Sequence, residues 1–143
     1  MKTKTILITG GESGVGAATA RALAAQGHKV LITSRDAEDG AQLCQEINTA
    51  FPRANIKNLV LDLSSFSSIR LFCSKLEKEY DAIDVLINNA SLAPLTKQKT
   101  RDGFEAQFGA NYLGHFLLTQ LLLDLLNEAS RARIVHTSSM MHS

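Results

Sequence analysis

The chain has no tryptophan, only two prolines and two cysteines, and no excess of charge of either sign: 15 lysines and arginines face 14 aspartates and glutamates in 143 residues. Each scarcity excludes something. Cys44 and Cys73 lie far apart within helical patterns, so they offer neither a disulfide framework nor a metal-ligand spacing and read as buried reduced thiols. A charge balance near zero argues against a nucleic acid or membrane surface held by bulk electrostatics. The longest apolar stretch, residues 113–126, is broken by His115, Gln120 and Asp124; it is too short for a membrane span and reads as a buried helix. The opening residues, MKTKTILITG, show none of the features of a secretory leader, so a cytoplasmic location is expected. Hydrophobic residues make up 45% of the chain, enough for one domain with a real core.

What the chain does contain is alternation. Runs rich in valine, isoleucine and leucine fall at residues 5–9, 29–33, 58–63, 83–88 and 133–137. Most lack polar alternation, which suits parallel strands covered on both faces. Helical patterns lie between them. Residues 14–26 are alanine-rich and end at Gly27, a candidate C′ glycine. Asp36 is placed to cap the next helix, with Glu38 and Asp39 in its first turn, Leu43, Ile47 and Phe51 on one face, and Pro52 as its stop. Residues 65–80 carry a stripe of Phe66, Ile69, Phe72, Leu76 and Tyr80, and residues 102–127 read as one long helix. This order predicts an α/β fold: a doubly wound parallel sheet of the Rossmann type, about five strands with helices on both faces, in a single domain over residues 1–143. Residues 90–101 form the longest irregular stretch.

The most informative segment is TILITGGESGVGAATARAL, residues 5–23. A β-branched run meets Gly10, Gly11, Gly14 and Gly16, and a good helix former follows. Glycine opens backbone conformations closed to other residues, and a missing Cβ lets backbone amides approach phosphate oxygens. The helix N-terminus adds unpaired donors and partial positive charge. A plain strand-to-helix turn is the alternative, but strand, loop and helix stand in the order that a pyrophosphate cradle needs.

Five segments together resemble the short-chain dehydrogenase/reductase family. TGGESGVG (residues 9–16) resembles its TGxxxGxG cofactor loop, LDL (61–63) its adenine-contacting turn, and NNAS (88–91) its NNAG motif. DGFEAQFGANYLGHFLLTQLLL (102–123) resembles the helix that bears the family's asparagine, and RIVHTSS (133–139) its fifth strand and following serine. The chain looks most like the branch that contains the retinol dehydrogenases, and the likeness runs along essentially its whole length.

The resemblance implies an NADP-dependent oxidoreductase that transfers hydride between a nicotinamide cofactor and a small carbonyl or alcohol substrate. Gly10, Gly14 and Gly16 match the family glycines; Ser13 and Val15 between them would donate backbone amides. NAD-specific relatives end the second strand in an acid that binds the ribose. Here Thr33 and Ser34 stand there with Arg35 just beyond, and a guanidinium can pair with a 2′-phosphate. That favours NADP, with NAD as the alternative; Arg35 as a solvated surface residue, or drawn off by Asp36, is the competing reading. Asp62 and Leu63 would lie by the adenine; Asp62 as a helix N-cap or turn acid is the competing reading, and it is compatible with the same location. Asn89 and Ala90 would line the adenosine side, with Ser91 in place of the usual glycine. Asn111 would help to hold a water in a proton relay, or serve as a buried structural amide; Tyr112 stands where relatives often have histidine. Ser139 matches the catalytic serine, with Ser138 as a turn-capping neighbour. His115, His136 and His142 have no triad or metal spacing and read as structural or solvent-exposed.

One feature of the family is missing. Its acid is a tyrosine with a lysine four residues on, whereas here Tyr80 is followed by Asp84 and Tyr112 by Phe116. The expectation is therefore the N-terminal portion of a longer fold, inactive as it stands. The alternatives are a non-catalytic NADP(H)-binding module acting as a sensor or subunit, and an enzyme completed by a partner chain. Residues 117–126 hold seven leucines on nearly every helical face, and residues 133–137 would form an open sheet edge, so self-association through the leucine-rich helix is also expected.

Overall fold

In a computed structural model that describes residues 2–140, five strands form one parallel sheet. The strands are β1 (Thr5–Ile8), β2 (Lys29–Ser34), β3 (Asn55–Val60), β4 (Val85–Asn88) and β5 (Arg133–His136), in spatial order β3-β2-β1-β4-β5. Helices α1 (Gly14–Ala25), α2 (Ala37–Ala50) and α3 (Phe66–Glu79) connect the first four strands; a π-helical segment (Phe108–Gly114), α4 (His115–Leu121) and α5 (Leu123–Asn127) lie between β4 and β5. His142 lies outside the described residues.

The period-two geometry of the strands sorts their side chains into two cores. Ile6, Ile8, Val30 and Ile32 pack with Ala20, Ala24, Leu43 and Ile47 from α1 and α2. Leu7, Leu31 and Leu86 face the other way, onto Ile69, Phe72 and Leu76 of α3 and the leucines that follow the π-helical segment. Over the inner strands β1, β2 and β4 both faces are covered, as a parallel sheet requires.

The helix ends follow the sequence signals. At the end of α1, Gly27 adopts φ 87°. Its amide bonds the Ala24 carbonyl at 3.0 Å, and the His28 amide bonds Leu23 at 3.2 Å, the paired bonds of a Schellman motif. The Asp36 carboxylate accepts from the Glu38 amide at 2.8 Å, and Ser65 caps α3.

Three expectations need correction. The single helix over residues 102–127 is interrupted by the π-helical segment and again at Leu122, which separates α4 from α5. The third strand runs Asn55–Val60 rather than 58–63: its register with β2 pairs Lys29 with Asn55 and Ser34 with Val60, and Leu61 turns into the second core. Finally, the leucines do not leave an apolar outer face. Leu118, Leu122, Leu125 and Leu126 are buried, and Leu117, Leu121 and Leu123 pack against the same core. The exposed apolar surface of this region is instead a stacked row of Phe108, Tyr112 and Phe116, each more than half exposed. β5 is an edge strand as expected, and all four of its residues are exposed. No helix among the described residues is long and apolar enough to cross a membrane.

Candidate functional site

At the C-terminal end of β1, β2 and β4 the chain forms a cleft of about 370 Å³. That is the crevice where parallel α/β sheets place ligands, and its size is within the usual range for ligand pockets. One wall is the loop between β1 and α1. Gly10 and Gly14 both take left-handed backbone angles, φ 63° and 56°. A Cβ on Gly14 would meet no described atom within 4 Å beyond the neighbouring backbone, so that side of the loop is open space. A Cβ on Gly16, in contrast, would strike the Gly10 carbonyl oxygen and come within 2.6 Å of Asn89 Nδ2. Gly10 and Gly14 thus turn the chain, and Gly16 permits contact between loop, helix and the residue after β4; of the three, Gly10 lines the cleft. Ser13 starts α1 with extended backbone and makes no side-chain cap, and the first turn holds no acid. The amides of that turn have no intrahelical acceptor and suit an anion. Val15, 68% exposed, lines the same wall.

The far wall follows β2 and β3. Ser34 is buried, and its hydroxyl donates to the Asp36 carbonyl at 2.5 Å, with Asn58 Oδ1 at 3.0 Å. Its one proton is therefore in use. Arg35 is 67% exposed, with Nε 3.9 Å from Asp62 Oδ1, a long and exposed pairing of small worth. Asp36 does not compete for it, being engaged in capping α2. Asp62 is a turn acid, not the helix cap: its Oδ1 accepts from the Ser64 amide at 2.9 Å and from the Ser64 hydroxyl. Burial alone would raise its pKa, but the Ser64 bonds and the charges of Arg35 and Arg101 outweigh that and hold the carboxyl below the ordinary aspartate value. Leu63 lines the cleft beside it.

The floor comes from the end of β4 and from the π-helical segment. Asn89 is chiefly a brace. Its amide bonds the Thr9 hydroxyl at 2.9 Å, and its Nδ2 donates to the carbonyls of Thr9 and Gly10 at 3.1 and 3.2 Å. Ala90, beside it, also faces the cleft. Asn111 sits at the centre of the π-helical segment, a kind of distortion that often marks functional positions. Both ends of its amide group bond the Leu92 backbone: Oδ1 accepts from the Leu92 amide at 2.7 Å, and Nδ2 donates to the Leu92 carbonyl at 2.9 Å. The structural-amide reading of this side chain therefore fits, and it pins the segment after β4 to the helix. Gly114 brings the same helix against the Leu63 carbonyl, 2.5 Å from where a Cβ would stand.

The two expected catalytic residues are not both in the cleft. Asn111 lines it; Ser139 is exposed, beyond β5, and does not, although Thr137 does. Sequence reasoning gave no role to Thr9, buried beneath the loop; His115, bonded to it at 2.8 Å, is buried, which fits the structural rather than the solvent-exposed reading. Sequence reasoning also missed Glu12, whose Oε2 is buried in the loop with no hydrogen-bond partner among the described residues. The threonine before the glycines and the polar residue inside an apolar helix were the available signals. Among the described residues, no cluster of histidine, cysteine and acidic side chains could hold a metal.

Residues 4–142 match the sequence profile of the short chain dehydrogenase family. The chain belongs to that family. It is 42% identical over 139 residues to mouse (Mus musculus) retinol dehydrogenase 13, covering 97% of this chain and 42% of the relative. It is 48% identical over 152 residues to mouse retinol dehydrogenase 14, covering 99% and 46%. The chain thus spans less than half the length of these curated relatives. Among solved structures, a metagenomic short-chain oxidoreductase in complex with NADP superposes with a TM-score of 0.82 at 29% identity, over 96% of this chain and 62% of the other. An alcohol dehydrogenase from the archaeon Thermococcus sibiricus, complexed with 5-hydroxy-NADP, gives 0.81 at 25% identity, over 96% and 59%.

Proposed function

We propose that the chain supplies the dinucleotide-binding part of an NADP-dependent oxidoreductase that interconverts a small carbonyl and its alcohol. The observation that carries this reading is the end of β2. No acid stands there, and the exposed Arg35 guanidinium lies at the cleft wall, only loosely paired with Asp62. Guanidinium geometry matches a phosphate in bidentate fashion. With the Ser34 proton already used, Arg35 is the donor at this wall suited to a 2′-phosphate.

The open space at Gly14 and the uncapped start of α1 fit a pyrophosphate. When bound, the dinucleotide would supply hydride from its nicotinamide ring. The chain's own residues bind and orient. The amides of Ser13, Gly14 and Val15 hold the phosphates, Arg35 selects the ribose phosphate, and Asp62, Leu63, Asn89 and Ala90 frame the adenosine. Asn111 fixes the segment that roofs the far end. Ser139 is the residue proposed to hydrogen-bond the substrate oxygen. Within the 143 residues, no tyrosine is followed four positions on by lysine, so these residues alone bind and position without delivering the proton.

Fluorescence titration with NADPH and NADH tests the proposal. NADPH is expected to bind more tightly, and Arg35→Ala to remove most of the difference. Equal affinities that ignore the substitution would refute it.

A further inference from the structure

We propose that His115, with its imidazole proton on Nδ1, is a positioning residue that ties the helical turn bearing Asn111 to the dinucleotide loop through Thr9. The proton count carries the assignment. Thr9 Oγ1 lies 2.9 Å from the Asn89 amide and 3.0 Å from the Ala90 amide, and both amides can only donate. Those two bonds occupy the hydroxyl's lone pairs. Its proton must then go to the remaining neighbour within hydrogen-bonding distance, His115 Nε2 at 2.8 Å. Nε2 accepts, so it is bare. On the other side of the ring, Nδ1 stands 2.9 Å from the Asn111 carbonyl, which can only accept, so Nδ1 carries the proton. The two ends specify the same neutral tautomer.

The consequence is a continuous chain of bonds beneath the cleft. It runs from Leu92 through the Asn111 side chain and backbone to His115, then to Thr9, and from Thr9 to the start of the segment after β4. Thr9 is fully buried and His115 is 7% exposed, so neither bond is replaced cheaply by water. Burial lowers the imidazole pKa; the Asn111 carbonyl works against that, and the charge of His136 on β5 lowers it further. Among the described residues His136 is the charged group acting on the ring, and the ring's hydrogen bonds go to the Thr9 hydroxyl and the Asn111 carbonyl. A second proton on Nε2 would face a hydroxyl oxygen with no lone pair left to give.

This inference rests on the dinucleotide reading of the cleft, and the test separates the two. Long-range ¹H–¹⁵N spectra of the chain without ligand should show His115 with Nδ1 protonated and Nε2 bare, unchanged between about pH 6 and 8, the range where a free histidine titrates. NADPH titrations then compare three proteins. His115→Phe, which keeps a ring and loses both bonds, should weaken binding by about tenfold or more, because a buried hydroxyl and carbonyl lose their partner. His115→Gln, whose amide oxygen can still accept from Thr9, should stay within about threefold of the wild type. A protonated Nε2, a ring that titrates normally, a Phe variant that binds like wild type, or a Gln variant as weak as the Phe variant would each overturn the proposal. If the Phe variant does not fold, the nitrogen spectrum and the Gln variant decide. If the wild type binds no NADPH, the dinucleotide reading and the positioning role fall together, while the nitrogen pattern still reports whether the tie exists.

Discussion

Two glycines of the same loop should fail in opposite ways when substituted. In Gly16→Ala the new methyl meets the Gly10 carbonyl and sits 2.6 Å from Asn89 Nδ2, so backbone or the bracing amide must move. Overpacking of a tight site costs about 1–3 kcal/mol. The bonds from Asn89 Nδ2 to Thr9 and Gly10 are worth about 0.5–1.5 kcal/mol each, and at least one is lost. The expected destabilisation is about 2–4 kcal/mol, or a Tm lower by about 10 °C for a domain of this size. Gly14→Val is different. Beyond the neighbouring backbone no described atom lies within 4 Å of the new Cβ, so the structural cost is mainly that of a side chain at φ 56°, about 1–2 kcal/mol. The methyls fill the space assigned to the pyrophosphate, however, and NADPH binding should be lost. Far-UV circular dichroism melts and NADPH titrations of both variants make the comparison. Wild-type affinity in Gly14→Val would place the phosphate elsewhere, and a wild-type Tm in Gly16→Ala would refute the packing argument.

Further outcomes follow from the same structure. Leu118→Ala, at a fully buried position in the second core, should cost about 2–5 kcal/mol in denaturant unfolding; a cost under half that range would mean the helix packs loosely. Burial raises the Cys44 thiol pKa, and burial with the charge of Glu77 pushes Cys73 up to about 12. Both should resist a thiol reagent at pH 8 in the folded protein and react on unfolding, and rapid native labelling would contradict this. The folded carboxyl of Asp62 titrates below its unfolded value, so its stabilisation is complete above the ordinary aspartate value of about 3.9 and drains away as pH falls through the folded pKa. Asp62→Asn should therefore flatten the acid limb of stability measured by urea unfolding; an unchanged limb would deny Asp62 that role. Finally, the 143 residues alone should show no saturable NADPH oxidation with retinals, ketosteroids or quinones, for want of a positioned acid. Turnover abolished by Ser139→Ala would overturn that expectation.

The strand and helix order, the caps at Gly27 and Asp36, and the stripe on α3 were legible because each is a local signal. The glycine loop was legible because the backbone angles at Gly10 and Gly14 exclude most other residues. What escaped depended on partners distant in sequence. The apolar pattern of residues 102–127 reports burial, not the hydrogen-bond ladder, so it could not reveal the π-helical turns around Asn111. Gly109 and Gly114 flank that asparagine because Thr100 and the Leu63 carbonyl press against them, contacts set by tertiary packing. β3 starts earlier than its apolar run because pairing with β2, not hydrophobicity, defines an edge strand. The leucines were read as facing two ways, yet core and partial burial take all seven, leaving the aromatic row outside. In the site, Asp62 lines the cleft, but its partner Ser64 was not foreseen, and the Thr9–His115 bond joins residues too far apart in sequence for any motif to connect.

The most direct test of the cleft assignment is an amide ¹H–¹⁵N titration of the chain with NADPH. Saturable shifts should concentrate on residues 10–16, on Arg35, on residues 62–64 and on residues 89–92, with the outer surface of α2 unaffected. Shifts that do not saturate, or that centre away from the glycine loop, would contradict the assignment.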